Sequence, residues 1–418
     1  MRAIFIAVGS ELLDLDRIDT NSLYVARRLR EKGILMDMKV VVGDHMDHLS
    51  WLVKKSCQRA QLVIISGGLG PTEDDITREA VAAALKKKLV FQESIVADLQ
   101  KIFQRRGMAM PEINTRQAFV IEGAEVIANP AGTAPGLYLT EANCQVLLLP
   151  GPPNELVPIF EDVFARHIAP AANYFIYSRT FKLTGISESE ADASIADIYR
   201  KYRNPLTTIL ASPGVIELHF LGRSKNSDEE ARKLTDELAE KVRDRLSRFI
   251  FADKDVSLPE VIVAELKRRQ LTLAVAESCS GGGLGNLITN VDGSSEVFLG
   301  GVIAYANSLK TGLLGVTAEV LNKYGAVSTQ TAQAMAVGVK RLCGAAIGLA
   351  ITGIAGPGGA TPDKPVGLVH IHLHAADDDK GARQLFSGGR EAIKLRSEYA
   401  ALNLVREYLK QSSEDGKR

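Results

Sequence analysis

Apolar and polar positions along this chain alternate between two rhythms. Residues 3–8, 36–42 and 61–66 read as strands, the first and third being short, largely apolar and free of Gly and Pro. Residues 21–31 and 48–59 lie between them and mix apolar with charged positions as helices do. The result is the βαβαβ order of an open parallel sheet. GGLGPTEDD (67–75) follows the third strand, and a helix is expected over 76–85. NPAGTAPG (129–136) and LPGPPNE (149–155) each follow a further apolar stretch. Ligands of such sheets bind beyond the carboxyl ends of the strands. These three loops and Gly9-Ser10-Glu11 are therefore expected to converge.

The rhythm changes from about residue 174. Strands are expected at 181–183, 208–210 and 215–221, and helices at 188–202 and 228–249. In the second helix Leu234, Leu238, Val242, Leu246 and Phe249 form one stripe. DKDVS (253–257) reads as an exit linker. A helix over 258–269 then leads to LTLAVA (271–276), an apolar run of strand length, and a helical pattern follows over 284–291. Further on come a helix over 329–342, a strand over 346–352, the loop GIAGPGG (353–359) and a strand over 367–374. Asp377-Asp378-Asp379 reads as a turn, 392–409 as a closing helix, and 411–418 as a polar, disordered tail. The fold class is α/β and α+β, multidomain, with domains at 1–172, 173–255 and 256–412.

Composition adds limits. A chain of 418 residues suggests two or three domains. Lys+Arg and Asp+Glu are equal at 50 each, so there is no overall electrostatic footprint for nucleic acid or an anionic membrane. Cys57, Cys144, Cys279 and Cys343 are far apart in sequence with no CxxC pair, which points to neither a zinc site nor a disulfide scaffold. The first residues lack a secretory signal, and no apolar run reaches the length of a membrane span. A reducing cytoplasm is the expected location.

Three stretches carry candidate chemistry. ESCSGGG (277–283) places Ser278 and Cys279 on a turn between strand and helix, where backbone N–H groups are free. Gly281, Gly282 and Gly283 permit close approach of another molecule, although such a loop also arises with no chemistry at all. In GGLGPTEDD, Gly67, Gly68 and Gly70 can wrap N–H groups around a phosphate, and Asp74 and Asp75 offer hard oxygen ligands to a divalent cation. The same carboxylates also suit a helix N-terminus with no metal. His370, His372 and His374 share one face of a strand, as zinc ligands can. Strand neighbours diverge, however, and no acidic partner is evident in the sequence. These histidines are expected on the solvent face of an edge strand, holding no structural metal.

A longer set of motifs combines these stretches. AESCSGG (276–282), GSS (293–295), GGVIAYANSLK (300–310), GAVS (325–328), TGIAGPGG (352–359), KPVG (364–367) and FSGGR (386–390) occur in the last domain. GSELL, DTN, GGLGPTEDDITR, NTRQA, AGTAPG and LPGPPNE occur in the first. This set resembles the CinA family, named for competence and damage inducibility, along nearly the whole chain. The first domain resembles its molybdopterin-binding-like (MoCF-like) half, and the middle domain is similar to its KH-like connecting domain. Ser280 stands where the family commonly has Thr, which retains a hydroxyl, and the VIE stretch before Gly123-Ala124 replaces a usual Pro.

The resemblance implies two enzymes on one chain. The last domain would hydrolyse the carboxamide of nicotinamide mononucleotide (NMN) to nicotinic acid mononucleotide and ammonia, with no cofactor. Ser278 would be the nucleophile and Lys310 the base, its pKa lowered by burial. Tyr305 would relay the proton or orient the lysine. Cys279 is the rival nucleophile, and as an adjacent side chain it should point away from Ser278's direction. Ser280, Gly281, Gly282, Ser295, Thr352 and Gly353 would contact substrate, and Arg390 would take its phosphate. The first domain would be a metal-dependent ADP-ribose pyrophosphatase. Gly67, Gly68, Gly70 and Thr72 would hold substrate there, and Asp74 and Asp75 a Mg- or Co-type ion. A homodimer that meets small nucleotides, no membrane and no nucleic acid directly is expected. Two alternatives stay open: a protein that binds nucleotide or molybdopterin without hydrolysis, and an interaction protein in DNA uptake or repair. Balanced charge disfavours direct DNA binding.

Overall fold

The computed structural model describes residues 1–14, 17–171 and 175–415. The chain divides into two compact units, residues 1–176 with 223–231, and residues 177–222 with 232–418. No helix of the described residues is long and apolar enough to cross a membrane.

The first domain runs β1 (Arg2–Val8), α1 (Glu11–Asp14), α2 (Asn21–Glu31), β2 (Leu35–Val42), α3 (Met46–Cys57), β3 (Leu62–Ser66), α4 (Thr77–Leu85), β4 (Leu89–Phe91), α5 (Glu93–Arg105), β5 (Phe119–Ile121), β6 (Glu125–Ile127), β7 (Gly136–Glu141), β8 (Cys144–Leu149) and α6 (Pro153–Arg166). Its main sheet has the order β2-β1-β3-β8-β7-β6. The first four strands are parallel, but β8 pairs with β7, and β7 with β6, antiparallel. The parallel order expected of β1, β2 and β3 is present, and the antiparallel β7 and β6 make the whole sheet mixed. The segment between β6 and β7 is too short for the crossover a parallel pair requires, so the chain folds back as a hairpin. β1 is buried on both faces. Ile4, Ile6 and Val8 join one core cluster, and Ala3, Phe5 and Ala7 the other, which is why this strand reads as an unbroken apolar run. Cys57 and Cys144, far apart in sequence, come together as neighbouring thiols.

The middle domain has β9 (Phe175–Leu183), α7 (Glu188–Tyr199), β10 (Leu206–Ser212), β11 (Val215–Ser224), α8 (Asp228–Leu246) and β12 (Ile250–Ala252), with sheet order β10-β11-β9-β12. The expected boundary near residue 173 falls outside the described residues. β9 is longer than its apolar end suggests, because FIYSRTFKL places polar side chains along its half-exposed length.

The last domain has α9 (Leu258–Arg269), β13 (Leu273–Glu277), α10 (Gly283–Thr289), β14 (Phe298–Ile303), α11 (Asn307–Gly312), α12 (Ala318–Tyr324), α13 (Thr329–Cys343), β15 (Ile347–Gly353), β16 (Leu368–His374), β17 (Asp379–Leu385) and α14 (Arg390–Asp415). The sheet order is β14-β13-β15-β16-β17, with the first three strands parallel. All five residues of β13 are buried. Leu273 and Val275 face a cluster shared with α9, α10 and α14, while the smaller Ala274 and Ala276 face α13. Small residues are needed on that second side, because α13 approaches so closely that a Cβ at Gly348 would collide with the Ala336 carbonyl.

Three expectations for this domain are corrected. β16 is an interior strand, paired on both sides, and His370 and His372 are buried rather than solvent-facing. The missing acidic partner is Asp379, which opens β17 instead of closing a turn. One oxygen of Asp379 lies 2.7 Å from His372 Nε2 and 3.0 Å from His374 Nδ1, and His370 Nδ1 is 3.0 Å from Thr329 Oγ1. β17 escaped the sequence reading because its residues, DKGARQL, are mostly exposed and carry no apolar alternation. Finally, α14 continues to Asp415 where a disordered tail was expected from 411; residues 416–418 lie outside the described residues.

Candidate functional site

The turn after β13 gathers the strongest chemistry. Side chains alternate along β13, and the alternation carries past its end. Cys279 belongs to the buried cluster that holds Leu273 and Val275, and Ser278 emerges on the other side toward α11. Lys310, on α11, is 1% exposed. Its Nζ lies 3.2 Å from Ser278 Oγ, 2.6 Å from the Ala304 carbonyl and 3.1 Å from the Tyr305 carbonyl. Among the described residues no carboxylate pairs with it, and burial lowers its pKa below the ordinary lysine value. The three acceptors fit either protonation state. An ammonium can donate to all three; a neutral amine can donate to the two carbonyls and turn its lone pair to the serine hydroxyl. Cys279 differs sharply, since burial pushes its thiol up to about 12.

The turn itself is rigidly held. Glu277, buried, accepts from the N–H groups of Gly282, Leu284 and Gly285 at 2.9, 3.1 and 2.8 Å. Ser278 N–H donates to the Ile351 carbonyl at 3.0 Å and Gly283 N–H to the Ser280 carbonyl at 3.4 Å. Gly282 adopts a φ of +99°, which a side chain would strain.

The other residues expected here divide. Arg390 donates to the Gly356 carbonyl at 2.6 Å and to the Tyr305 hydroxyl at 3.3 Å. Tyr305 is 61% exposed, and what it gives Lys310 is its carbonyl, not its hydroxyl. Thr352 is buried, with its hydroxyl donated to the Ala326 carbonyl at 2.7 Å. Gly353 ends β15 with no room for a Cβ against the Leu368 carbonyl. Ser280 is fully buried, and its hydroxyl has no partner among the described residues. Ser295 lies exposed in a single turn of 3-10 helix, and no hydrogen bond joins it to Ser278 or Lys310 among the described residues.

In the first domain the loops 67–75, 129–136 and 149–155 converge, while Gly9 and Ser10 bond to Val42 and Asp44 beside them. Gly67 has a φ of +106° and sits so close to the Val8 carbonyl that a Cβ would collide with it. Asn21 Nδ2 bridges Ser66 Oγ at 3.0 Å and the Gly151 carbonyl at 2.7 Å. Asn129 donates to Glu155 at 2.7 Å, and Gln117 to Thr133 at 3.2 Å. The donors expected to cradle a phosphate are partly spent within the fold. Gly67 N–H donates to the Leu149 carbonyl at 3.0 Å. Asp75 accepts from the N–H groups of Gly70 and Thr72 at 2.8 and 2.9 Å and from the Thr72 hydroxyl at 2.5 Å. Gly68 has a φ of +67° and packs on Thr77. Asp74 is exposed, and the polar groups of its own loop, the Thr72 side chain and its own backbone, hold its carboxyl below the usual range, although the Thr72 hydroxyl proton itself is donated to Asp75. Among the described residues no group of three or more His, Cys, Asp or Glu is arranged to hold a metal.

Sequence reading missed several residues. Arg78 is buried and grips the carbonyls of Leu69 and Gly70 at 2.7 and 3.0 Å, while Arg116 donates to the Thr72 carbonyl at 3.0 Å. Arg78 and Arg116 lie inside the quoted motifs GGLGPTEDDITR and NTRQA, which was the available signal. Glu398 carried no such signal.

Three family profiles match this chain in order: the probable molybdopterin binding domain over residues 4–169, the damage-inducible protein CinA KH domain over 178–252, and the CinA C-terminal domain over 255–409. A CinA-like protein of Dictyoglomus thermophilum is 40% identical over 406 residues, 97% of this chain and 98% of that protein. The chain belongs to the CinA family. Another CinA-like protein, from Koribacter versatilis, is 43% identical over 98% of this chain and all of its own length. Solved structures of competence/damage inducible protein CihA from Agrobacterium tumefaciens and of CinA from Thermoplasma acidophilum are 38% and 30% identical. They cover 36% and 40% of this chain and 92% and 98% of their own, with TM-scores of 0.36 and 0.37. The three CinA-family segments fall in turn on the mixed six-stranded sheet, the four-stranded sheet and the five-stranded sheet.

Proposed function

We propose that the last domain hydrolyses the carboxamide of NMN to nicotinic acid mononucleotide and ammonia. The observation that carries this reading is the buried Lys310 amine 3.2 Å from Ser278 Oγ, with no carboxylate among the described residues to hold its proton. Lys310 takes the serine proton as Oγ attacks the carboxamide carbon. Among the described residues the Gly281 N–H of this turn has no acceptor and is available to the oxyanion, whereas the Cys279 and Ser280 N–H groups face the Cys279 sulfur. The C–N bond then breaks, ammonia leaves with the proton from Lys310, and water cleaves the acyl-serine ester. Arg390, fixed between Gly356 and Tyr305, suits the mononucleotide phosphate. With its thiol pushed up to about 12, Cys279 is almost wholly protonated at neutral pH. The Cys279→Ala variant is accordingly expected to keep most deamidation activity; a dead variant would mean thiol catalysis.

For the first domain the reading is a metal-dependent ADP-ribose pyrophosphatase. Asp74 fits a Mg- or Co-type ion, being exposed and ionised. Asp75 fits less well: its two oxygens have about four lone-pair sites, and its own loop occupies three of them. When bound, the ion would neutralise pyrophosphate charge; Arg116 and the Gly68 N–H would bind and orient the phosphates. The engaged Asp75, Gly67 and Gly70 favour a second reading here, nucleotide binding without hydrolysis. Cytoplasmic location, expected from the cysteines and the lack of a signal or membrane span, and homodimer assembly, implied by the family resemblance, belong to this proposal.

Product analysis of purified protein tests both parts, with NMN in one arm and ADP-ribose plus divalent metal in the other. Nicotinic acid mononucleotide and ammonia are the expected products of the first. No ammonia would sink the amidohydrolase; ADP-ribose bound but uncleaved would leave the second reading.

A further inference from the structure

α14 lays one face along the Ser278 turn. Arg390, Lys394 and Glu398 recur at four-residue steps, so they line one side of the helix. Arg390 reaches the Gly356 carbonyl, and Lys394 Nζ comes within 3.8 Å of where a Gly281 Cβ would stand. Glu398 packs so tightly on Gly283 that a Cβ there would collide with its carboxyl group. It is 5% exposed, and among the described residues no hydrogen bond or ion pair reaches it. Glu277, on the same turn, accepts hydrogen bonds from three backbone N–H groups. Glu398, reaching the turn from α14, meets no such donors among the described residues.

We propose that Glu398 is a positioning residue of the Ser278 turn, its carboxyl group packing beneath Gly283 and keeping Ser278 within reach of Lys310. This rests on the amide-hydrolysis reading. Burial first, and Glu277 second, raise the Glu398 pKa to about 7, while Lys394 pulls it down. The titratable groups facing it are Glu277 and Cys279 from the turn and Lys394 and Tyr399 from its own helix. None from α9, α10, β15 or β16, also packed on α14, acts on it among the described residues. The sign follows from linkage. A carboxyl group whose folded pKa is raised favours the fold at low pH, and that contribution is lost as pH rises through about 7.

The test is kcat, KM and Tm between pH 5.5 and 9 for the unmutated chain, Glu398→Ala and Glu398→Gln. Lys310 gives kcat a limb that rises with pH, and ionisation of Glu398 gives a fall above about 7. Glu398→Ala is expected to lose about one to two powers of ten in kcat with little change in KM. Glu398→Gln, which keeps the shape and cannot ionise, is expected to restore most of that loss, turn the bell into a plateau and flatten the fall of Tm with pH. An alkaline fall that persists unchanged in Glu398→Gln, in kcat and Tm alike, overturns the proposal. If the unmutated chain turns over no NMN at any pH, amide hydrolysis fails and the positioning role with it. The Tm comparison then reports separately on the Glu398 proton.

Discussion

Replacing Lys310 with alanine is expected to slow NMN deamidation by about two to four powers of ten, the usual worth of a catalytic base. Ser278→Ala is expected to lose more, because no acyl-serine can form, while NMN affinity is expected to survive largely, since the variant leaves Arg390, the proposed phosphate ligand, in place. Burial does the preparatory work. An exposed lysine would be protonated at neutral pH and useless as a base. Lys310 is 1% exposed and meets no carboxylate among the described residues, so burial loosens its hold on the proton. kcat/KM should accordingly rise with pH along a limb centred below the ordinary lysine range, and Lys310→Ala should abolish that limb. Lys310→Arg should not rescue it, since a guanidinium stays protonated. The decisive measurement is the deamidation rate and NMN affinity of Ser278→Ala, Lys310→Ala and Cys279→Ala side by side. Activity in all three would mean the site is misplaced; an active serine variant beside a dead cysteine variant would rewrite the mechanism around the thiol.

What the sequence disclosed here depended on range. LTLAVA followed by Gly-rich residues places a strand, a turn and a helix around Ser278, and side-chain alternation separates Ser278 from Cys279. Both are local consequences of backbone geometry, and both are seen in the fold. Tyr305 shows the limit of spacing arguments. Five residues before Lys310 it suggests a hydroxyl partner, yet the chain doubles back at the start of α11 and presents the tyrosine carbonyl instead. Glu398 lies further out of reach. Within α14 it reads like any glutamate of an amphipathic helix, and only the packing of that helix on Gly283 makes it unusual. Asp379 was hidden for another reason. Its strand is exposed at the sheet edge, so selection for burial leaves no apolar mark on the sequence there, while its carboxylate reaches back to two histidines.

The first domain offers the second large effect, and the structure separates two adjacent carboxylates that the sequence treats alike. Asp75→Ala is expected to abolish metal-dependent ADP-ribose cleavage and also to lower Tm. It would strip acceptors from the N–H groups of Gly70 and Thr72 and from the Thr72 hydroxyl, so the loop after β3 would lose its shape. Each donor left unpaired costs about 1–3 kcal/mol when buried, and less here because Thr72 is exposed. Asp74→Ala should act differently. Asp74 is exposed, so its removal should leave Tm unchanged while weakening metal dependence, seen as a higher divalent-ion concentration for half-maximal cleavage. NMN deamidation should survive both changes, since its residues belong to a separate compact unit. Cleavage and Tm assays on the two variants, titrated with Mg and with Co, distinguish the roles. Unchanged cleavage in Asp75→Ala would remove this loop from the chemistry. An Asp74→Ala variant with unaltered metal dependence would instead move the ion elsewhere, leaving Asp75 as the organiser of a loop that binds nucleotide without cutting it.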